Sequence, residues 1–215
     1  MGFADRWDKK DSGPGIMDRL RERVVTPQPL KSQIEQANRQ IRALISQLDN
    51  TVGRIKQRDE SIFKSVVAAI AKHDSQHAAV YANELTEVRK MGKVVTQAQL
   101  ALEQISLRLG TITDMGEIAT TLAPAVSVIR SMKDTLGTAL PQANSEIGEI
   151  SGLLSSVLID ASSSAGLSLN FDVANEDAQR VLEEAATVAE QRMRDSFPEI
   201  PASALARGQP EDLTA

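Results

Sequence analysis

The chain has 215 residues, with 24 Lys+Arg against 29 Asp+Glu, no cysteine and 3% aromatic residues. The lack of cysteine excludes disulfides and thiolate metal sites, and so few aromatics exclude a large, aromatic-filled globular core. The net charge of −5 conceals an asymmetry: residues 1–72 carry 14 basic against 9 acidic side chains, and residues 73–215 carry 10 against 20.

Residues 1–29 read as an irregular N-terminal segment, broken by Gly13-Pro14-Gly15 and closed by Pro27 and Pro29. Phe3 and Trp7 are four apart and would share one face of a short helical turn, which reads either as a shallow membrane wedge or as a disordered tip. Asp5, Arg6, Asp8, Lys9, Lys10 and Asp11 break up any signal-peptide apolar region, and Arg6 stands where a myristoylation signal wants Ser or Thr. No apolar run approaches the ~20 residues of a membrane span.

From about Leu30 to Lys72 the sequence predicts one long helix. Ile34, Ile41, Leu48, Ile55 and Ile62 recur every seven residues, and Ile45, Val52 and Val66 form an offset series with Asp59 as its one polar break. His73-Asp74-Ser75-Gln76-His77 is the turn, with Asp74 or Ser75 as N-cap of the next helix. The second helix runs from about Gln76 past Leu109, with Tyr81, Val88, Val95, Leu102 and Leu109 in one series and Met91, Ala98, Ile105 and Ile112 in the other. Two such helices bury their seams against each other as an antiparallel hairpin over residues 30–112. Helical spacing softens at 110–116, returns at 117–139 with Pro124 as a kink or a new start, and returns again at 142–160. Residues 161–175, with Ala161-Ser162-Ser163-Ser164-Ala165-Gly166, read as a flexible linker. A last helix over 176–196 is capped by Asn175, and 197–215 is a tail, extended at Phe197-Pro198-Glu199-Ile200-Pro201 and disordered beyond. No strand pattern is present, so the fold class is all-α.

Three features could carry function. His73 and His77 with Asp74 between them resemble a weakened zinc-protease motif. Asp is too short for the role of Glu, no third ligand is indicated and a turn is the wrong setting, so they read as solvated turn residues. With no other histidine, no phosphate loop and no nucleophile elbow, the chain reads as a non-enzyme without metal or cofactor. Arg19, Arg21 and Arg23, then Lys31, Arg39, Arg42, Arg54, Lys56, Arg58 and Lys64, mark a basic face. It reads either as an ordinary solvated helix face or as a stripe for anionic lipid, worth about 1 kcal/mol per cation. The stripe has no stacking aromatics, which argues against base-specific nucleic-acid binding. Phe197 to Pro201 is an apolar-Pro-x-apolar-Pro segment that would lie in a helical groove at little ordering cost.

The stretches PLKSQIEQANRQIRALISQLDNTVGRIKQRDESIFKSVVAAI, MGKVVTQAQLALEQISLRL and PQANSEIGEISGLLSSVLIDAS, within residues 29–162, resemble the first, second and fourth helices of the ESCRT-III family, specifically its archaeal CdvB type. The resemblance implies an ESCRT-III-like helical core at 30–160, a regulatory helix at 176–196 and filaments of the protein with itself or its paralogues. It places those filaments on the inner face of the cell membrane at the division site. It also implies disassembly by an AAA+ ATPase whose MIT domain grips Phe197, Pro198, Ile200 and Pro201, with Phe197 where the family more often has Leu. In that setting the glycine-containing segments would be hinges, and closure would fold 142–160 and 176–196 back on the hairpin. The rival readings are a coiled-coil scaffold without membrane activity and a nucleoid-binding helical protein.

Overall fold

The computed structural model describes residues 30–112, 115–165 and 171–205. Among the described residues six helices follow one another: α1 (Leu30–Ala71), α2 (Ser75–Gly110), α3 (Met115–Ala139), α4 (Ala143–Ala165), α5 (Phe171–Ser196) and a single turn, α6 (Ala202–Leu205). No strand occurs among the described residues.

Helix α1 has 42 residues, which at 1.5 Å per residue makes a rod of about 60 Å. Its buried positions begin as Ile34, Ala37, Ile41, Leu44, Leu48, Thr51 and Ile55, a regular three–four alternation. They resume at Asp59, Ile62, Val66 and Ala69. The step from Ile55 to Asp59 repeats a four where a three was due, which is a stutter that locally unwinds the supercoil. The offset series therefore changes identity at this point. Ala37, Leu44 and Thr51 occupy the inner seam of the first half, while Ile45 and Val52 pack half-buried on its flank. In α2 the series Val95, Leu102 and Leu109 is buried, as are Ala98 and Ile105. Met91 was expected inside but is 41% exposed. Its neighbour Gly92 takes the interior, because an added Cβ there would lie only 3.2 Å from Ile55 Cγ2 and Met193 Cε.

The hairpin turn is tighter than the five residues expected. Helix α1 ends in a Schellman motif: Asp74 N–H donates to the Ala69 carbonyl and His73 N–H to that of Ile70. His73 holds the left-handed position, φ 58°. Asp74 caps α2, its carboxylate accepting from the His77 N–H at 3.1 Å. That bond, followed by the one to the His77 side chain, holds the Asp74 carboxyl below its ordinary value of 3.8. A β-carbon in the left-handed region costs about 1–2 kcal/mol that glycine avoids. His73→Gly should therefore stabilise the fold by about 1 kcal/mol, read as a higher urea midpoint at unchanged slope. A lower midpoint would mean that the exposed His73 side chain contributes more than its backbone costs.

Helices α3 and α4 pair with each other and lay α4 on α1 and α3 on α2, building a bundle at the open end of the hairpin. Its centre is Leu122, Ile129, Leu136, Ile147, Ile150 and Leu154, each below 3% exposed. Pro124 interrupts neither helix nor core: α3 runs through it, and the residue four back that loses its acceptor role, Thr120, lies on the exposed side. The serine run expected as a linker is the last turn of α4. Ser162 and Ser163 bond back to the carbonyls of Leu158 and Ile159, and Ala161 is buried, so the segment is helical to Ala165. Helix α5 likewise begins at Phe171, and Asn175 is no cap: its Oδ1 accepts from Ser127 Oγ on α3 at 3.0 Å.

Candidate functional site: the hairpin face and the docked tail

Helix α5 lies on α2 and α3. Its buried residues are Ala174, Ala178, Val181, Ala185 and Ala189. Methyl groups let the helix approach closely, but each buries little apolar area, so α5 is held far less firmly than the leucine and isoleucine seam. Polar tethers fix its register. Gln97 Nε2 donates to the Leu182 carbonyl at 3.2 Å, Gln104 Nε2 to Glu184 at 3.4 Å, and Lys93 Nζ to Glu190 at 3.1 Å. From Gln104–Glu184 through Lys93–Glu190 to Gly92 beside Met193 the contacts run antiparallel to α2, so α5 delivers the tail toward the closed end of the hairpin. Lys93, and then Arg194, hold the Glu190 carboxyl below its ordinary value of 4.5.

The tail does not leave the surface at Ser196. Asp59, 2% exposed at the stutter of α1, accepts from Arg89 of α2 through both oxygens, at 2.5 and 3.2 Å. The third guanidinium nitrogen, Nη1, donates to the Pro198 carbonyl at 2.7 Å. The Phe197 ring sits over the same group, 5.4 Å from its carbon to the ring centroid. Farther along, Ile200 and the buried Ala204 pack on a separate apolar cluster that includes Ile62, Val66, Ala82 and Leu85. The segment expected to be free is thus seated through Leu205, with Pro198 and Glu199 exposed and Phe197, Ile200 and Pro201 half-buried. A groove of about 510 Å³ remains beside it, between α2 and the end of α5, floored by Met193, Phe197 and Ile200.

The basic residues of α1 are divided by the fold. Arg58 pairs with Glu84 across the hairpin, Lys64 with Glu60 at 2.6 Å, Arg42 reaches Ser106 at 3.4 Å, and Arg54 reaches Thr51 at 3.0 Å. Lys31, Arg39 and Lys56 are exposed. Phe3, Trp7, Arg19, Arg21 and Arg23 lie outside the described residues. The two histidines do not converge. His73 is in the turn, whereas His77 is in α2, bonded to Asp74 at 2.7 Å and tilted against Tyr81.

No protein-family model matches the chain, and no solved structure does. Curated proteins do. Cell division protein B1 of Sulfolobus acidocaldarius is 40% identical over 181 residues, covering 84% of this chain and 85% of that protein. The chain belongs to the CdvB-type family of cell-division proteins. Cell division protein B of the same organism is 28% identical over 154 residues, 72% of this chain and 59% of that longer protein. Cell division protein B3 is 24% identical over 157 residues, 73% of this chain and 90% of that protein. The helical hairpin with shorter helices folded along it is the ESCRT-III-like arrangement expected of the family. None of the described helices is long and apolar enough to cross a membrane.

Sequence reasoning singled out the tail segment but missed Arg89. The signal was present: Asp59 and Arg89 stand 15 residues on either side of Asp74. Folding the chain at the turn therefore places a cation opposite the one acid in the seam.

Proposed function

We propose that the protein is a filament-forming, membrane-remodelling subunit of ESCRT-III type, acting at the neck between dividing archaeal cells, and that the described state is its closed, resting form. The observation that carries this reading is the seating of α5 and the tail along the hairpin by an alanine face and a few polar tethers. A lid of this kind is built to be released. Once released, the acidic α5, with Glu176, Glu183 and Glu184 exposed, is complementary to the cationic α1 of a second copy. Lys31, Arg39 and Lys56 face solvent in the closed form and are placed to meet anionic head groups on the inner face of the membrane. Disassembly falls to an AAA+ ATPase whose MIT domain takes Phe197, Pro198, Ile200 and Pro201. The reading calls on no cofactor and no nucleic acid.

Sedimentation and negative-stain microscopy with vesicles rich in anionic lipid test it. The protein should pellet with vesicles at low salt, as filaments or tubulated membrane, and release at high salt. Lys31→Glu, Arg39→Glu and Lys56→Glu together should weaken pelleting at least tenfold at about 1 kcal/mol per cation. A monodisperse species that ignores vesicles at every salt concentration would leave a coiled-coil scaffold. Steeply salt-dependent binding to duplex DNA alone would favour the nucleoid reading.

A further inference from the structure

The Arg89 guanidinium is spent on three groups from three parts of the chain: a buried carboxylate of α1, a main-chain carbonyl of the tail and the aromatic ring before it. Asp59 fixes its plane by a two-oxygen grip, so the remaining N–H points outward at a set angle before any tail arrives. Beyond it, the gap between α1 and α2 offers an apolar seat that Ile200 and Ala204 fill. A main-chain acceptor, an aromatic face and an apolar side chain three residues on are what an extended proline-containing segment presents. Pro198 and Pro201 restrict the backbone dihedrals beforehand, which lowers the ordering cost of docking.

We propose that the hairpin carries a receptor site for an extended apolar–proline segment, centred on Arg89, that its resident occupant is the chain's own Phe197–Leu205, and that this occupancy shields the segment from a partner. The shielding half rests on the reading of Phe197, Pro198, Ile200 and Pro201 as the ATPase motif; the docking half does not. The hairpin and the partner then compete for one set of side chains. Phe197 and Ile200, the two large apolar groups of the proline-containing motif, are half-buried against the protein. By linkage, a partner's apparent affinity falls by the fraction of molecules with the tail undocked. One charge-assisted hydrogen bond and one cation–π contact shift that fraction by about tenfold or more. Asp59 and Arg89 are positioning residues for the tail, since their own bond makes the site.

The test uses the 215-residue chain and the double variant Asp59→Leu, Arg89→Met, which removes the polar anchor of the site while keeping the seam filled with apolar side chains. Hydrogen exchange at the amides of residues 199–205 should accelerate about tenfold or more in the variant, with the amides of 34–52 unchanged. Equal exchange in the two proteins would overturn the receptor site. In parallel, the MIT domain is titrated with the wild-type chain, the double variant and a synthetic peptide of residues 195–205. The variant and the peptide should bind alike, each about tenfold tighter than wild type. Wild type binding as tightly as the peptide would overturn the shielding. A peptide that does not bind would overturn both the shielding and the ATPase reading of the motif, and the exchange result would then decide the docking half alone.

Discussion

Arg89→Met should lower the stability of the hairpin by about 3 kcal/mol, because it strands the Asp59 carboxylate where only 3% of its side chain reaches water. The loss is larger than the pair is worth. A buried ion pair roughly offsets its own desolvation, so removing both partners costs little, whereas removing one leaves a charge with nothing to replace its water. Adding Asp59→Leu to Arg89→Met should therefore recover the urea midpoint to within about 1 kcal/mol of wild type. Asp59→Leu alone should fall between the two. Arg89 is 17% exposed along its side chain and still bonds the Pro198 carbonyl, so its charge is less isolated than that of Asp59 would be. This rank order, with non-additive single variants, identifies a coupled buried pair. Equal midpoints for wild type and Arg89→Met would mean that the pair is not formed at the stutter in solution.

The same pair shows which parts of the molecule were legible in the sequence. The seam was, because a seven-residue repeat of aliphatics has one helical solution, and Ile34 through Ile62 are buried as that solution requires. The change of register at Ile55–Asp59 was not read, although Asp59 stood out as the polar break. A repeat counted from one end does not show that it has slipped until the partner helix is laid against it. Met91 and Gly92 exchanged places for a related reason: the position meets both Ile55 and Met193, where an added Cβ would lie 3.2 Å from each and a larger side chain would be crowded between α1 and α5. Local composition misled at the end of α4 and the start of α5. A serine run predicts a linker from intrinsic propensity, but the hydroxyls of Ser162 and Ser163 are satisfied on carbonyls one turn back within the helix, and the burial of Ala161 holds the segment against the bundle. Asn175 looked like a cap because the side chain that engages it, Ser127, comes from another helix 48 residues away. The tail stood out in the sequence as an extended apolar–proline segment, but its docking on this chain could not be read, since its seat is assembled from α1 and α2 only after the hairpin closes. The basic residues of α1 are all exposed, and the pairing of Arg58 with Glu84 and of Lys64 with Glu60 follows from what α2 and the next turn of α1 place beside them.

The closed form has a weak half and a strong half, which sets the largest expected change in assembly. The bundle of α1 to α4 buries Ile41, Leu48, Leu102, Leu122, Ile129 and Leu154 and should stand without the rest. Helix α5 covers α2 and α3 with buried alanines and one valine beside the half-buried Leu182, and the tail adds its Pro198 carbonyl, bonded by Arg89 of α2, with Ile200 and Ala204. Cutting after Ala165, where α4 ends, removes that lid and uncovers the α2–α3 surface while leaving the bundle intact. An earlier cut, at the start of the serine run, would remove the last turn of α4 and confuse lid loss with damage to the bundle. The decisive measurement is sedimentation velocity of the full chain and of the chain ending at Ala165, at equal concentration and low salt, with circular dichroism confirming that the shortened chain stays helical. The closed-form account requires the full chain to remain small and the shortened one to run as large polymers. A helical shortened chain that sediments as a monomer like its parent would contradict it.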